Sequence, residues 1–445
     1  MKLKYEHIIF AIAAASLVIR VFLLHPTFSD DNFYFNAAKV FISGSTPYKD
    51  FFFAHPPFQL FLFGIIFKIF GATFLAAKII PLIFSTLSFV LIFFVGKNIF
   101  DEKSAFVSAI TFLIFPAFLS FSLIGYGIFV TMSLVLASIF FYKKGKNLLA
   151  ATLFTAALFF RYFAAPFVIV FFILDKAKFK KFFLFVAILS IAMFALFYSI
   201  FGFNYVDNTI LYHSSSKIGN PDPLNKQYWE FNFPVVLLAL LSIGFGMWKK
   251  EKILVWFGAF PLAIDLLMLF ALRTPFYHYF MLSLPFYALA IGWLFIKSKD
   301  RILRVLIFAV LFFAIYNNIV TIDYYLNPVH ASNYLQIFDF IEKNTNSTDK
   351  IIGEPSIASY IAFTSNLSLP LQYTDSFSQH ILYKSPSDFV SVLEKEKPKF
   401  FIESNYLNQS YYFGVPEIAN YVNMHYVRVL NVSGIPDYYV YQIKS

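Results

Sequence analysis

The sequence predicts an α-helical protein that crosses a membrane many times and ends in a small α/β domain outside it. Three observations indicate this class. The chain of 445 residues is 59% hydrophobic and only 13% charged, with a mean hydropathy of +0.68, which is far more apolar than a soluble domain. Apolar runs of helical length recur along it, which excludes a β-barrel. From Asp323 onward the composition is polar and mixed.

The first predicted span covers about residues 8–24, and basic residues orient it and the spans that follow. The formal net charge is +10, but the Lys and Arg residues cluster in short loops between apolar runs. That is the positive-inside pattern rather than a surface for nucleic acid. Lys2 and Lys4 place the N-terminus in the cytoplasm. The chain contains no cysteine, so it has neither a disulfide framework nor a thiolate site.

Ten further apolar runs are predicted to cross the bilayer, which gives about eleven spans in total. They cover residues 74–95, 105–121, 123–142, 148–160, 163–174, 182–201, 231–248, 253–272, 276–296 and 303–322. An odd total places the C-terminus outside the cell membrane. The sequence therefore predicts a membrane domain at 1–322, with a first external loop at 25–73, and an external domain at 323–445.

The apolar run Phe58–Phe70 does not fit this alternation. It has 13 residues, and a crossing here would turn every later basic loop outward. We expect it to lie along the outer surface or to re-enter the membrane. A short membrane span is the alternative.

The polar C-terminal part alternates helix-like segments with short strand-like runs, which predicts a small α/β domain. Four N-x-S/T sequons fall here, at Asn346, Asn366, Asn408 and Asn431, in agreement with an external location.

The first external loop carries adjacent carboxylates, Asp30 and Asp31, next to the bilayer. Ser29 can cap a helix that begins at Asp30, where two acids suit the helix dipole. The same dipole stabilises the carboxylate and weakens it as a base. This helix has two stripes, which predict that it lies on the membrane surface with its apolar side on the lipid. The polar stripe consists of Asn32, Asn36, Lys39 and Ser43, and the apolar stripe of Phe33, Ala37, Val40 and Phe41. The alternative is that the acids only start a helix.

This loop resembles the first external loop of the membrane glycosyltransferases of the GT-C superfamily. The likeness is strongest to glycosyltransferase family 39, which includes protein O-mannosyltransferases and lipid A aminoarabinose transferases. The residues that carry the resemblance follow the acidic pair: Tyr34, Ala37-Ala38, Gly44, Pro47-Tyr48, Asp50, His55-Pro56-Pro57 and Phe70-Gly71.

The resemblance implies inverting transfer of a hexose or pentose from a polyprenyl-phosphate donor to a hydroxyl of a protein, lipid or glycan. It implies Asp30 as the catalytic carboxylate, which would accept the proton of the acceptor hydroxyl, with Asp31 in the place of the usual Glu. The phosphate that leaves needs cations or hydrogen-bond donors. Candidates for substrate contact are Tyr34, His55, Arg161, Arg273, Tyr277, His278 and Tyr279.

Alternatives stay open for several of these residues. Arg161 and Arg273 can instead snorkel to the membrane interface, and His55 can be a structural turn residue before Pro56. The second external loop, SFSLIGYGIFVT, has no carboxylate, unlike many relatives. We therefore expect transfer without a metal or another cofactor.

Two other classes of function compete with this one. A transporter or flippase suits the number of spans, and Asp265 is the one carboxylate well inside a predicted span. A structural hydrogen bond to a neighbouring helix is the simpler role for Asp265. A surface or assembly protein would leave the loop motif unexplained.

Overall fold

The computed structural model of this chain describes residues 4–26, 29–216, 221–271, 277–326, 329–370, 386–406, 409–410, 412–433 and 437–444. The chain forms two compact units. The helical unit consists of Met1–Leu24, Ile80–Leu196 and Ile218–Tyr324. The α/β unit consists of His25–Ile79, Phe197–Lys217 and Tyr325–Ser445. The first loop thus clusters with the polar C-terminal part of the chain.

Helices dominate both units, and their bounds follow the apolar runs of the sequence. In chain order they are α1 Tyr5–Phe22, α2 Asp31–Ile42, α3 Phe58–Phe70, α4 Phe74–Ile99, α5 Glu102–Ile114, α6 Pro116–Ser122, α7 Ile128–Lys143, α8 Asn147–Phe160, α9 Ile169–Leu174, α10 Lys176–Phe201, α11 Phe203–Val206, α12 Pro221–Trp248, α13 Lys252–Ala271, α14 Leu284–Lys297, α15 Arg301–Leu326, α16 Val329–Lys343, α17 Pro355–Thr364, α18 Pro386–Glu396 and α19 Pro416–His425. The 3-10 segments Tyr162–Val168 and Tyr277–Ser283 precede α9 and α14, and a π-helical segment, Asp207–Ser216, follows α11.

Each predicted span coincides with a helical segment. Within the described ranges, six helical segments are long and apolar enough to cross a membrane, or seven if α5 and α6, bent by 63°, form one span. Shorter apolar helices at α7, α8, Tyr162–Leu174 and Phe233–Trp248 match further predicted spans. The chain is therefore a polytopic membrane protein. The total of about eleven crossings and their orientation stay predictions.

Close helix contacts in the helical unit depend on small and polar residues. A Cβ added at Gly292 of α14 would lie 2.2 Å from the Ser108 hydroxyl oxygen of α5, so glycine allows these helices to touch. Arg20 of α1 is buried, and its guanidinium donates to the hydroxyls of Ser85 and Thr86 of α4. Such bonds make a buried charge tolerable in an apolar helix.

The polar C-terminal part folds around a mixed sheet, which confirms the predicted α/β domain. Its strands are β1 Ile351–Gly353, β2 Phe400–Tyr406, β3 Gln409–Ser410, β4 Tyr426–Val432 and β5 Asp437–Ile443. The order is β1-β2-β5-β4, with β3 beside β2. The β1–β2 pair is parallel and the other pairs are antiparallel.

Helices cover both faces of this sheet because the side chains of β2 alternate between two apolar cores. Phe400 and Ile402 pack with α16 and α17 on one face. Phe401 packs with α18 and α19 on the other. The sheet is thereby fixed from both sides, and β1 ends against the helix α17.

The helix α2 is enclosed by protein, which corrects the expectation that its apolar stripe lies on lipid. Phe33 and Ala37 are fully buried. The polar stripe packs on α17: the Asn32 amide donates to the Ser356 carbonyl oxygen at 3.1 Å, and the Lys39 ammonium donates to carbonyl oxygens at the end of α17. Within the first loop, the helix with exposed apolar side chains is α3, where Ile69 is 65% exposed.

Candidate active site

The adjacent carboxylates Asp30 and Asp31 occupy different environments. The helix α2 begins at Asp31, one residue later than predicted, so Asp30 takes the N-cap position expected for Ser29. The Asp31 carboxylate is fully buried, and its Oδ2 lies 2.5 Å from the Lys78 Nζ. Asp30 is only half-buried. Of the acidic pair, Asp30 is therefore the accessible carboxylate.

Lys78 neutralises Asp31 from the start of α4. Its Nζ lies 5.5 Å from the ring centroid of Phe35 and 5.4 Å from that of Phe74, within the range of cation–π attraction. Lys78 is 1% exposed. A charge buried this deeply requires its counter-ion, so the pair fixes the start of α2 to the start of α4.

Tyr34 and His55 form a second contact on the helix face that carries Asp30. Tyr34 lies one helical turn after Asp30, and its hydroxyl oxygen is 2.8 Å from the His55 Nε2. The His55 ring stacks on the His213 ring with 5.6 Å between centroids. His213 Nε2 donates to the Ala54 carbonyl oxygen at 2.7 Å. Two imidazoles thus lie together beside α2.

A strained turn holds His55 in place. Tyr48 has a φ of +67°, a left-handed conformation that a bulky residue rarely adopts. Its hydroxyl donates to the His55 carbonyl oxygen at 2.7 Å, and its ring packs edge-on against Tyr205. Backbone strain of this kind persists only where the surroundings enforce it, and it is frequent at functional sites.

Arg161, His278 and Tyr279 meet in the helical unit. Arg161 is 3% exposed, and its guanidinium donates to the Tyr126 carbonyl oxygen, from Nε at 3.0 Å and also from Nη2. The His278 ring lies 4.8 Å from the Tyr126 ring and 4.6 Å from the Tyr279 ring. Arg161 is therefore held inside the protein rather than extended to an interface.

The structure brings the predicted site residues together in two groups, one within each unit. The α/β unit holds Asp30, Asp31, Tyr34 and His55, and the helical unit holds Arg161, His278 and Tyr279. Arg273 lies outside the described residues, and so does the side chain of Tyr277.

Comparisons with known proteins bear on the fold. Residues 54–200 match the family of dolichyl-phosphate-mannose-protein mannosyltransferases. ArnT from Cupriavidus metallidurans, in a crystal structure bound to undecaprenyl phosphate, aligns with a TM-score of 0.66 over 97% of both chains at 10% identity. The chain has the GT-C fold. The superfamily resemblance expected from the first loop is thereby confirmed.

An archaeal oligosaccharyltransferase is similar over most of the chain as well. AglB from Archaeoglobus fulgidus, in complex with an inhibitory peptide and a dolichol-phosphate, aligns with a TM-score of 0.53 at 12% identity. The alignment covers 97% of this chain and 74% of AglB. No curated protein sequence matches the chain.

Three residues beside the first group were not predicted from the sequence. Lys78 could have been recognised, because a lone lysine in an apolar helix is commonly paired or functional. His213 lies in a polar stretch of the sequence, and no local pattern distinguishes it there from the other polar residues as a site residue. Glu354 follows a three-residue strand, and only the folding of the distant C-terminal domain brings it near α2.

Proposed function

We propose that the protein is an inverting glycosyltransferase that moves a hexose or pentose from a polyprenyl-phosphate donor to an acceptor hydroxyl. The transfer takes place at the outer face of the plasma membrane. The GT-C fold and the family match over residues 54–200 support the class of enzyme. ArnT with undecaprenyl phosphate and AglB with a dolichol-phosphate support a lipid phosphate as the carrier of the sugar.

Asp30 is the proposed general base. The acceptor oxygen attacks the anomeric carbon, and a new C–O bond forms as the bond from that carbon to the phosphate oxygen breaks. The hydroxyl proton passes to Asp30, and the polyprenyl phosphate leaves with the bonding electrons. The observation that supports Asp30 over Asp31 is the buried ion pair between Asp31 and Lys78, which leaves Asp30 as the accessible acid.

The leaving phosphate already carries negative charge, so it requires donors rather than a proton. We propose Arg161, Arg273, Tyr277, His278 and Tyr279 for this role, and Tyr34 and His55 for contact with the substrates. The contact between Arg161 and His278 through Tyr126 supports a common role for these two residues. The absence of a carboxylate between Phe121 and Thr131 supports transfer without a metal.

The test is the variant Asp30→Asn, assayed in detergent or vesicles with radiolabelled polyprenyl-phosphate hexoses and pentoses and with membranes as the acceptor source. We expect transfer to fall by about 10²–10⁴-fold, the usual contribution of a general base. Asp50→Asn is the matched control, because Asp50 lies in the same loop, is exposed, and accepts a local hydrogen bond from the Thr46 N–H. Equal activity with and without EDTA is expected for a metal-independent reaction.

Full activity of Asp30→Asn would refute the catalytic assignment. Substrate uptake into proteoliposomes without release of polyprenyl phosphate would favour the transporter instead. Asp265 is the carboxylate that a transporter would use, but in the structure it forms hydrogen bonds with neighbouring side chains. Its carboxylate accepts from the Ser283 hydroxyl at 2.5 Å and the Tyr287 hydroxyl at 2.9 Å, a structural link between helices.

A further inference from the structure

Glu354 is placed with unusual local precision by its neighbours. It follows β1 at Gly353, whose φ is +148° and where a Cβ would lie 2.1 Å from the Ile402 carbonyl oxygen. The Glu354 N–H donates to that same oxygen at 2.7 Å. Its carboxylate caps α17 by accepting from the Ile357 N–H at 3.0 Å, and the residue is 3% exposed. Only glycine can adopt this turn, so the backbone before Glu354 fixes the position of this residue.

Glu354 lies beside Asp30, because α2 and α17 pack side by side in the same direction. At their N-terminal ends, Asn32 donates to the Ser356 carbonyl oxygen at 3.1 Å. Toward their C-terminal ends, the Lys39 ammonium donates to the carbonyl oxygens of Ala362 at 2.7 Å, Phe363 at 3.1 Å and Ser365 at 2.6 Å. Asp30 precedes Asn32 by two residues, as Glu354 precedes Ser356, so the two N-caps are neighbours.

The charges in this region interact. Burial raises the pKa of Glu354, hydrogen bonds from Ile357 and Ser356 lower it, and the negative charge of Asp30 raises it by a smaller amount; the net result is a pKa of about 7. Burial also raises the pKa of Tyr334 on α16 and of Tyr438 on β5, and the charge of Glu354 contributes to both. Asp31 acts on Tyr334 as well, and Lys78 neutralises Asp31.

We propose that Glu354 is a positioning residue for Asp30, so that the C-terminal domain supplies a second carboxylate to the reaction. This inference rests on the proposed function. Electrostatic repulsion is mutual, so an ionised Glu354 destabilises negative charge on Asp30 and favours capture of the acceptor proton there. It thereby opposes the helix dipole of α2, which stabilises the Asp30 carboxylate and weakens it as a base.

The first test compares kcat and KM of the full-length wild type and Glu354→Gln across pH. Glutamine keeps an oxygen for the Ile357 N–H but cannot ionise, so it mimics protonated Glu354. We expect the two proteins to have similar kcat below about pH 6, and the variant to be about tenfold slower above pH 8, with KM unchanged. Glu403→Gln is the control, because Glu403 is equally buried in β2 and accepts from the Tyr412 N–H.

The second test needs no turnover and therefore separates this inference from the proposed function. A carboxyl whose folded pKa lies above its unfolded value stabilises the fold at low pH, and that stability is lost as pH rises toward the folded pKa. We expect the Tm of the wild type to fall between about pH 4.5 and 7, and Glu354→Gln to lack this fall. In Asp30→Asn the fall should be smaller and should end at a lower pH, because the negative charge that raises the folded pKa of Glu354 is gone.

The outcomes are distinct. If Asp30→Asn leaves the pH dependence of Tm unchanged, the two carboxylates do not interact and the inference is wrong. If wild type transfers sugar while Glu354→Gln matches its kcat at every pH, Glu354 is only a helix cap. If the Tm profiles shift as expected but no donor is turned over, the proposed function fails and Glu354 has no role in transfer.

Discussion

At the scale of single residues, one ammonium separates two aspartates that are adjacent in the chain. Asp31 faces Lys78 inside the protein, and Asp30 lies a residue earlier with part of its surface accessible. Ion pairs that exclude water are costly to break, because the remaining charge stays buried without a partner. The pair therefore gives Asp31 a structural role that its position in the motif does not reveal.

Lys78→Met should destabilise the protein by about 3–5 kcal/mol, because it removes the ammonium that pairs with the buried Asp31 carboxylate. The measurement is thermal unfolding in detergent. Lys97→Met is the control, because Lys97 pairs with Glu6 and Glu102 at the exposed surface, where such pairs contribute at most about 1 kcal/mol. Equal stability of the two variants would contradict a structural ion pair at Lys78. The double variant Asp31→Leu with Lys78→Met should recover much of the loss.

The residue types of the candidate site were partly predictable from the sequence. A polar motif next to an apolar span predicted Asp30, Asp31, Tyr34 and His55 as site residues, and the structure places Tyr34 and His55 in contact. Glu354 and His213 could not be predicted in the same way. Their neighbours in space lie far away in the chain, and no local pattern encodes such contacts.

At the scale of helices, hydropathy predicted the existence and the length of the apolar helices well, because a helix must be long and apolar to cross a bilayer. The prediction for Phe58–Phe70 matches α3 at both ends. The environment of α2 was predicted wrongly, because an amphipathic stripe indicates that a helix has two different sides but not what covers each of them. Here α17 satisfies the polar side through Asn32 and Lys39.

The contact between α5 and α14 gives a prediction for a pair of glycines. Gly292→Ala should cost about 1–3 kcal/mol, because its Cβ would lie 2.5 Å from the Ser108 backbone nitrogen, which cannot easily move. Gly244→Ala, where no atom lies within 4 Å, should be neutral or stabilising, since alanine favours helix. Thermal unfolding of the two variants in detergent decides between them. A Gly292→Ala protein as stable as Gly244→Ala would mean that α5 and α14 do not touch at this point.

At the scale of the whole molecule, the charge pattern predicts that α3 stays on the outer side of the membrane. The absence of native cysteine makes this testable with Lys68→Cys, since Lys68 is exposed near the end of α3. A membrane-impermeant maleimide should label it in intact cells. Lys144→Cys, in a loop predicted to be cytoplasmic, should react only after permeabilisation. Labelling of Lys68→Cys solely from the cytoplasm would show that α3 crosses the membrane.

The docking of α2 on α17 limits how such proteins can be recombined. Lys39 satisfies three carbonyl oxygens at the end of α17, and Asn32 bonds to its beginning. In a chimera that receives only a foreign C-terminal domain, Lys39 and Asn32 would pack against a foreign helix in place of α17, and that helix was not selected to accept their hydrogen bonds. A chimera should therefore fold more stably when both helices are transplanted together. The two segments, about 300 residues apart in the chain, form one inheritable module.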